Sequence, residues 1–236
     1  MSLGHTDADY DTTISFVGKA VDRGIVVTAT HLFNAMPPLH HRAPGAAAAM
    51  ITSAKKFPGQ VFVELIADGV HLHNGTVDMV TESVPDAAFF ITDAMEAAGK
   101  ADGSYVLGAL AVTVADGVAR LTTTDGSVGS IAGGTSTLFD QFVRAVKRGF
   151  DPVDAVKFTS ATAARVLGFG GEKPGDLGSA RSSGAGTSAG VAPLAGHLSV
   201  GAPADFVVMD PNFQLHEVYA AGQPLHVRES EAGSEV

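Results

Sequence analysis

Four residues of the types that hold metals or move protons stand at corresponding places in the chain: His5, His31, His71 and Asp93. His31 closes the apolar run IVVTAT, His71 follows VELIAD in the loop DGVH, and Asp93 closes AAFFIT. His5 stands in GH ahead of a helical stretch, where a preceding strand would end. Neutral imidazoles are good ligands for a divalent ion, and such an ion acidifies bound water to near neutral pH. A carboxylate close by can take up the water's proton, which is the part that suits Asp93. There is no cysteine, so disulfides and thiolate ligands are excluded and a metal must be held by histidine and carboxylate. One histidine in a loop is ordinary polarity. Four such residues in step point to a divalent-metal hydrolase.

The elements that must carry these residues follow from periodicity. Ala8 to Arg23 has helical spacing, with Ile14, Val17, Ala20 and Val21 on one face, and Gly24 ends it. IVVTAT, QVFVELIAD and AAFFITD are strands without alternation, separated by helices over Gly45 to Lys56 and Gly75 to Ser83. Unalternating apolar strands between helices mark βα units with a parallel sheet covered on both faces. In such sheets functional groups gather at the C-terminal ends of strands. Residues 104–124 break the rhythm: LGALAVTV and VARLTT flank Ala115-Asp116-Gly117, a hairpin signal. Helices are expected from about Thr137 to Lys147 and from Asp151, with Pro152 in its first turn, to Leu167. Residues 170–196 are rich in Gly, Ser and Ala and read as a flexible loop. HLSVG, ADFVVMD, FQLHEVYAAG and QPLHV read as short strands of a small β module, followed by an acidic tail over 229–236.

Composition narrows the partners. The chain has 236 residues and a formal charge of -10, which argues against nucleic acid, whose binding needs clustered cations. An anionic substrate would need a local arginine or backbone amides. No run approaches the roughly 18 apolar residues of a membrane span. MSLGHTDAD has neither a basic nor an apolar leader region, so a cytoplasmic location is expected. His40 and His41 follow Pro37-Pro38 and match loop polarity, His197, His216 and His226 fall in the β module away from the strand ends and read as structural, and His73 has no assigned role. Met36 and Met95 read as packing residues, and Gly133-Gly134 suits either a phosphate cradle or a turn.

The segments GHTDA, THLFNAMPPLHHRAPG, IADGVHLH, ITDAMEAAG and IAGGTSTL, in this order and spacing, resemble the C-terminal part of the N-acetylglucosamine-6-phosphate deacetylases of the amidohydrolase superfamily. GAPADFVVMD is similar to a segment of that family's small β-sandwich. The resemblance implies an α/β fold: the C-terminal half of a (β/α)8 TIM-type barrel over residues 1–169, with a hairpin insertion at 104–124, and part of a β-sandwich over 197–228. It implies His5 and His31 as metal ligands and Asp93 as the catalytic carboxylate. Asn34, Ala35, Arg42, Asp68, Gly69, Val70 and His71 correspond to substrate-binding positions, as do Ile131, Ala132 and Gly133 through their backbones. Arg42 would bind phosphate, its planar fork matching the oxygens, with His41 beside it. Asp68 also suits a plain loop cap.

The activity so implied is metal-dependent hydrolysis of N-acetylglucosamine 6-phosphate to glucosamine 6-phosphate and acetate. The metal would be zinc, with iron, manganese or cobalt as alternatives, and the enzyme a homodimer in which Arg42 reaches the neighbouring subunit's phosphate. Alternatives are a cyclic-amide amidohydrolase and a catalytically inactive fragment. Family members are longer at the N-terminus and bring a glutamate ligand from there. The expectation is therefore a chain that starts near the fifth barrel strand with weakened metal affinity. Glu64, inside a strand, and Glu96, after Asp93, do not match that ligand.

Overall fold

Apolar strands that bury both faces can pair side by side only if the connections cross over outside the sheet, and the helices between them supply those crossovers. In the computed structural model, which describes residues 1–125, 127–169, 196, 198 and 200–225, four strands do this. They are β1 (Ser2–Leu3), β2 (Val27–Ala29), β3 (Val61–Leu65) and β4 (Ala88–Phe90), parallel and in the order β1-β2-β3-β4. Register is set by pairs such as Leu3 with Ala29, Ala29 with Val63 and Leu65 with Phe90. Val27, Val61, Val63 and Leu65 are wholly buried, as unalternating strands require.

Helices α1 (Tyr10–Val21), α2 (Gly45–Lys56) and α3 (Asn74–Ser83) form the crossovers. α1 begins at Asp9, whose carboxylate accepts from the Thr12 amide at 2.7 Å, and buries Val17, Ala20 and Val21. α3 begins at His73, whose Nδ1 accepts from the Gly75 amide at 3.1 Å, so this histidine is a helix cap. The strands are shorter than the apolar runs that encode them, because pairing stops where a neighbour ends.

After β4 the chain makes an antiparallel sheet of β5 (Gly103–Leu107), β6 (Leu110–Ala115) and β7 (Val118–Leu121). The Asp116-Gly117 hairpin is present, both residues with left-handed φ (50° and 71°). LGALAVTV is not one strand, since a turn at Gly108 divides it and makes the expected hairpin a three-stranded meander. Val112, Val114, Ala119, Met95 and Ala132 form its own small core.

α4 (Leu138–Lys147) follows, then α5 (Pro152–Val156) and α6 (Thr162–Val166). A π-helical turn, Lys157–Ala161, separates α5 from α6 where one continuous helix was expected. That turn carries Phe158 into the main core, stacked on Phe90 at 5.4 Å. The last described elements are β8 (Phe206–Met209), β9 (Leu215–Ala220) and β10 (Gln223–Leu225), an antiparallel sheet in the order β10-β9-β8. Leu198 and Val200 of HLSVG are in no strand. The rest of the Gly/Ser-rich loop up to Gly196, His197, His226 and the tail 229–236 lie outside the described residues. No helix among the described residues is long and apolar enough to cross a membrane.

Candidate functional site

Because β1 to β4 are parallel, their C-terminal ends share one edge of the sheet, and the residues leaving that edge have an unusual backbone. Eight non-glycine residues among those described have left-handed φ, and five of them are His5 (47°), His31 (30°), Phe33 (76°), Ala35 (51°) and Asp93 (48°). Such a conformation costs a side-chain-bearing residue roughly 1–3 kcal/mol and persists where the surroundings over-determine it, most often at functional sites. The surroundings of His31 are visible. Leu32 donates its amide to the Glu64 carbonyl at 2.8 Å, and the His31 amide meets the Glu64 carboxylate at 3.3 Å. Asn34 returns both its amide (3.0 Å) and its side-chain Nδ2 (2.9 Å) to the His31 carbonyl.

That backbone brings His5 and His31 together. Their Nε2 atoms are 3.0 Å apart, the rings tilted by 49°. His31 is buried, and its Nδ1 has no hydrogen-bond partner among the described residues. Two facing ring nitrogens present either one N–H and one lone pair or two lone pairs, and two lone pairs are what a cation needs. With its proton on Nδ1, His31 leaves Nε2 free to coordinate. The pair therefore fits as two nitrogen ligands of a divalent ion. Among the described residues no third histidine, aspartate or glutamate joins them in a metal-sized cluster.

The loop after β3 holds a second pair. Asp68 Oδ1 accepts from the amides of Val70 (2.8 Å) and His71 (2.9 Å), and Oδ2 lies 2.8 Å from His71 Nδ1. Both side chains are less than one-tenth exposed. Burial pushes the Asp68 carboxyl upward, but the His71 ring and the two amides outweigh it and hold the group below the usual aspartate value. An ionised carboxylate only accepts, so His71 carries its proton on Nδ1. Asp68 is thus both the loop cap and the orienting partner of His71.

The loop after β2 is built otherwise. Arg42 is exposed, is in no ion pair among the described residues, and sets Nη1 2.7 Å from His41 Nε2. His40 Nδ1 accepts from the Arg42 amide at 3.2 Å, and the Ala43 amide donates to the His40 carbonyl at 3.1 Å, closing a turn around Arg42. Asp93 is exposed, and its carboxylate has no hydrogen-bond partner among the described residues. Its carbonyl accepts from the Gly134 amide at 2.7 Å, which draws the 131–134 segment to the end of β4. A Cβ at Gly134 would collide with the Thr92 carbonyl, so close backbone approach explains that glycine. The Ala132 amide is committed to the Ala119 carbonyl at 3.0 Å.

Two residues escape a reading by motif. Glu64 contacts His31 from an adjacent strand, and its standing as the one charged residue of VFVEL is the signal of it. Gln141 of α4 is fully buried and bonds the segments preceding Asp68 and Asp93. A cavity of about 490 Å³ in the helical layer, lined by Asp78, Arg148 and Phe158 among others, includes none of the candidate residues.

With this geometry in hand, similarity to known proteins decides the family. No protein-family model matches the chain. The zebrafish (Danio rerio) N-acetylglucosamine-6-phosphate deacetylase is 31% identical over 231 residues, covering 95% of this chain and 48% of the relative. An Escherichia coli strain K12 protein with the provisional name N-acetylgalactosamine-6-phosphate deacetylase is 30% identical over 195 residues, covering 82% of this chain and 97% of the relative. The chain belongs to the family of N-acetylated amino-sugar 6-phosphate deacetylases that these relatives share. Among solved structures, the Mycobacterium smegmatis deacetylase superposes with a TM-score of 0.72 at 34% identity, covering 95% of this chain and 51% of that one. A mutant of that enzyme in complex with N-acetyl-D-glucosamine-6-phosphate gives 0.70 at 35%, covering 94% and 50%. The chain spans about half the length of the zebrafish relative and of both mycobacterial structures.

Proposed function

We propose that this chain contributes the C-terminal half of a (β/α)8 barrel, with part of a β-sandwich in β8 to β10, to a metal-dependent deacetylase of N-acetylglucosamine 6-phosphate. The observation that carries this reading is the convergence of His5 Nε2 and His31 Nε2 at 3.0 Å at the ends of neighbouring strands. The two imidazoles would hold a divalent cation, zinc first in a site without thiolates. When bound, that ion supplies Lewis acidity and a water ionised near neutral pH. An amide is a weak electrophile with a poor leaving group, so proton handling is the second requirement. The free carboxylate of Asp93 takes the proton of the attacking water and returns it to the departing amine. His71, its tautomer set by Asp68, is aligned to bond the substrate through Nε2. Arg42 binds the phosphate bidentately, and in a homodimer its outward reach suits a neighbouring subunit's substrate.

Acetate release from N-acetylglucosamine 6-phosphate, against unphosphorylated N-acetylglucosamine, tests this with zinc added. Turnover of the phosphorylated sugar alone is expected, and an Asp93→Asn chain should lose about 1,000-fold in kcat while still binding substrate. Equal turnover of both sugars would sink the phosphate reading. A second reading, sugar-phosphate binding without turnover, is favoured by the lack of a third ligand group among the described residues. Substrate binding with sub-stoichiometric zinc and no acetate would select it.

A further inference from the structure

Gln141 is 1% exposed, and a buried amide is retained where its donors and acceptor are matched. Its Oε1 accepts from the Ala67 amide at 3.1 Å, and its Nε2 donates to the Ile91 carbonyl at 2.9 Å and meets Ser136 Oγ at 3.2 Å. Reversing the amide would set donor against donor and acceptor against acceptor, so the network fixes its orientation. Where these bonds fall is informative. The Ile91 amide donates to the Leu65 carbonyl at 2.9 Å, the last rung between the strands. In a parallel ladder the next rung would run from the Ala67 amide to the Ile91 carbonyl. The Gln141 amide occupies that rung, bonded to both groups. β3 and β4 are thereby parted by the width of one amide, one residue before Asp68 and two before Asp93.

The helix that brings Gln141 is itself fixed. Thr137 and Asp140 form a capping box at its start, with the Asp140 amide 3.1 Å from Thr137 Oγ1 and the Thr137 amide 2.8 Å from Asp140 Oδ2. One turn beyond Gln141, Arg144 lies over Gly69, where any Cβ would strike its guanidinium, and donates to Asn74 Oδ1 at 3.0 Å. One face of α4 thus holds both ends of the loop that carries Asp68 and His71.

We propose that Gln141 is a positioning residue whose side-chain amide, spliced into the β3–β4 ladder, sets the separation of the Asp68–His71 pair from Asp93. Its catalytic consequence rests on the deacetylase reading, whereas the spacing itself does not. The test is Gln141→Met in the full chain, which keeps length and burial but removes every hydrogen bond, with Gln141→Glu, which keeps only the acceptor, as the second variant.

Amide hydrogen exchange should quicken about tenfold or more at Ala67, Val70 and His71 in Gln141→Met, and stay as in the parent over α1 and β2. In Gln141→Glu, which keeps the bond to Ala67 and loses that to Ile91, the faster exchange should be confined to the Ile91 amide at the end of β4. With N-acetylglucosamine 6-phosphate, kcat should fall about 30- to 100-fold in Gln141→Met with KM within about threefold, the mark of misplaced groups. Unchanged local exchange overturns the proposal, as does acceleration spread evenly over the sheet, which would make Gln141 a core filler. Unfolding of both variants overturns it too, by making the residue a determinant of the fold. If the parent chain releases no acetate, the deacetylase reading fails by itself, and the exchange pattern still decides the spacing.

Discussion

The loops after β2 and β3 leave the same edge of the same sheet, and each carries polar residues that could meet a sugar phosphate, yet they are made in opposite ways. In the loop after β3, the side chains of Asp68 and His71 are buried and bonded to each other, and Asp68 also accepts from two backbone amides. In the loop after β2, Arg42 is exposed and without a carboxylate among the described residues, its nearest polar neighbour the ring of His41. Under the proposed deacetylase reading, the difference separates two tasks. A side chain that must present one nitrogen in one tautomer has to be held before the ligand arrives, and low-dielectric burial strengthens the bonds that hold it. A cation meant for a doubly charged phosphate is better left unpaired, because any resident carboxylate would compete with the ligand.

The contrast can be broken most forcibly at Asp68. Asp68→Ala leaves two amides and the His71 ring N–H without their acceptor. It should lower stability by about 2–4 kcal/mol, seen as a lower urea midpoint, with turnover falling alongside. A stable, fully active Asp68→Ala chain would show that the β3 loop is no more built than the β2 loop.

Arg42→Ala is expected to move stability by no more than about 0.5 kcal/mol. It should raise KM for N-acetylglucosamine 6-phosphate about 10- to 100-fold with kcat within about threefold, as loss of uniform binding does. A large drop in melting temperature would place Arg42 in the scaffold instead.

The finest of the three tests is titration with acid. Hydrogen bonds depress the folded Asp68 value below the 3.8 of a free aspartate. The stabilisation from this group is therefore complete above the unfolded value and is lost as pH falls through the folded one. Urea midpoints measured between about pH 5 and pH 2 should fall less steeply in Asp68→Asn than in the parent. Identical slopes would remove Asp68 from the account.

Much of the scaffold was legible because it rests on local rules. Continuous apolar runs foretold β2, β3 and β4, α2 begins and ends where its pattern does, and Asp116-Gly117 marked its own hairpin. The misses lie where neighbours decide. LGALAVTV could not announce its turn at Gly108, and the π-helical turn answers to the packing of Phe158 on Phe90 rather than to any helix-breaking residue.

By itself the sequence determined which residue types stand at the strand ends, since strand, loop and cap are chosen by neighbours a few positions away. It therefore singled out His5, His31, His71 and Asp93, and left Asp68 balanced between cap and ligand. Tertiary structure alone decided which of these meet. The left-handed backbone at His5 and His31 turns two imidazoles 26 residues apart in the chain to within 3.0 Å, and the 74-residue span from Ala67 to Gln141 closes on one amide. Such contacts follow from sheet register and helix placement, which are properties of the assembled core and have no period to read along the chain.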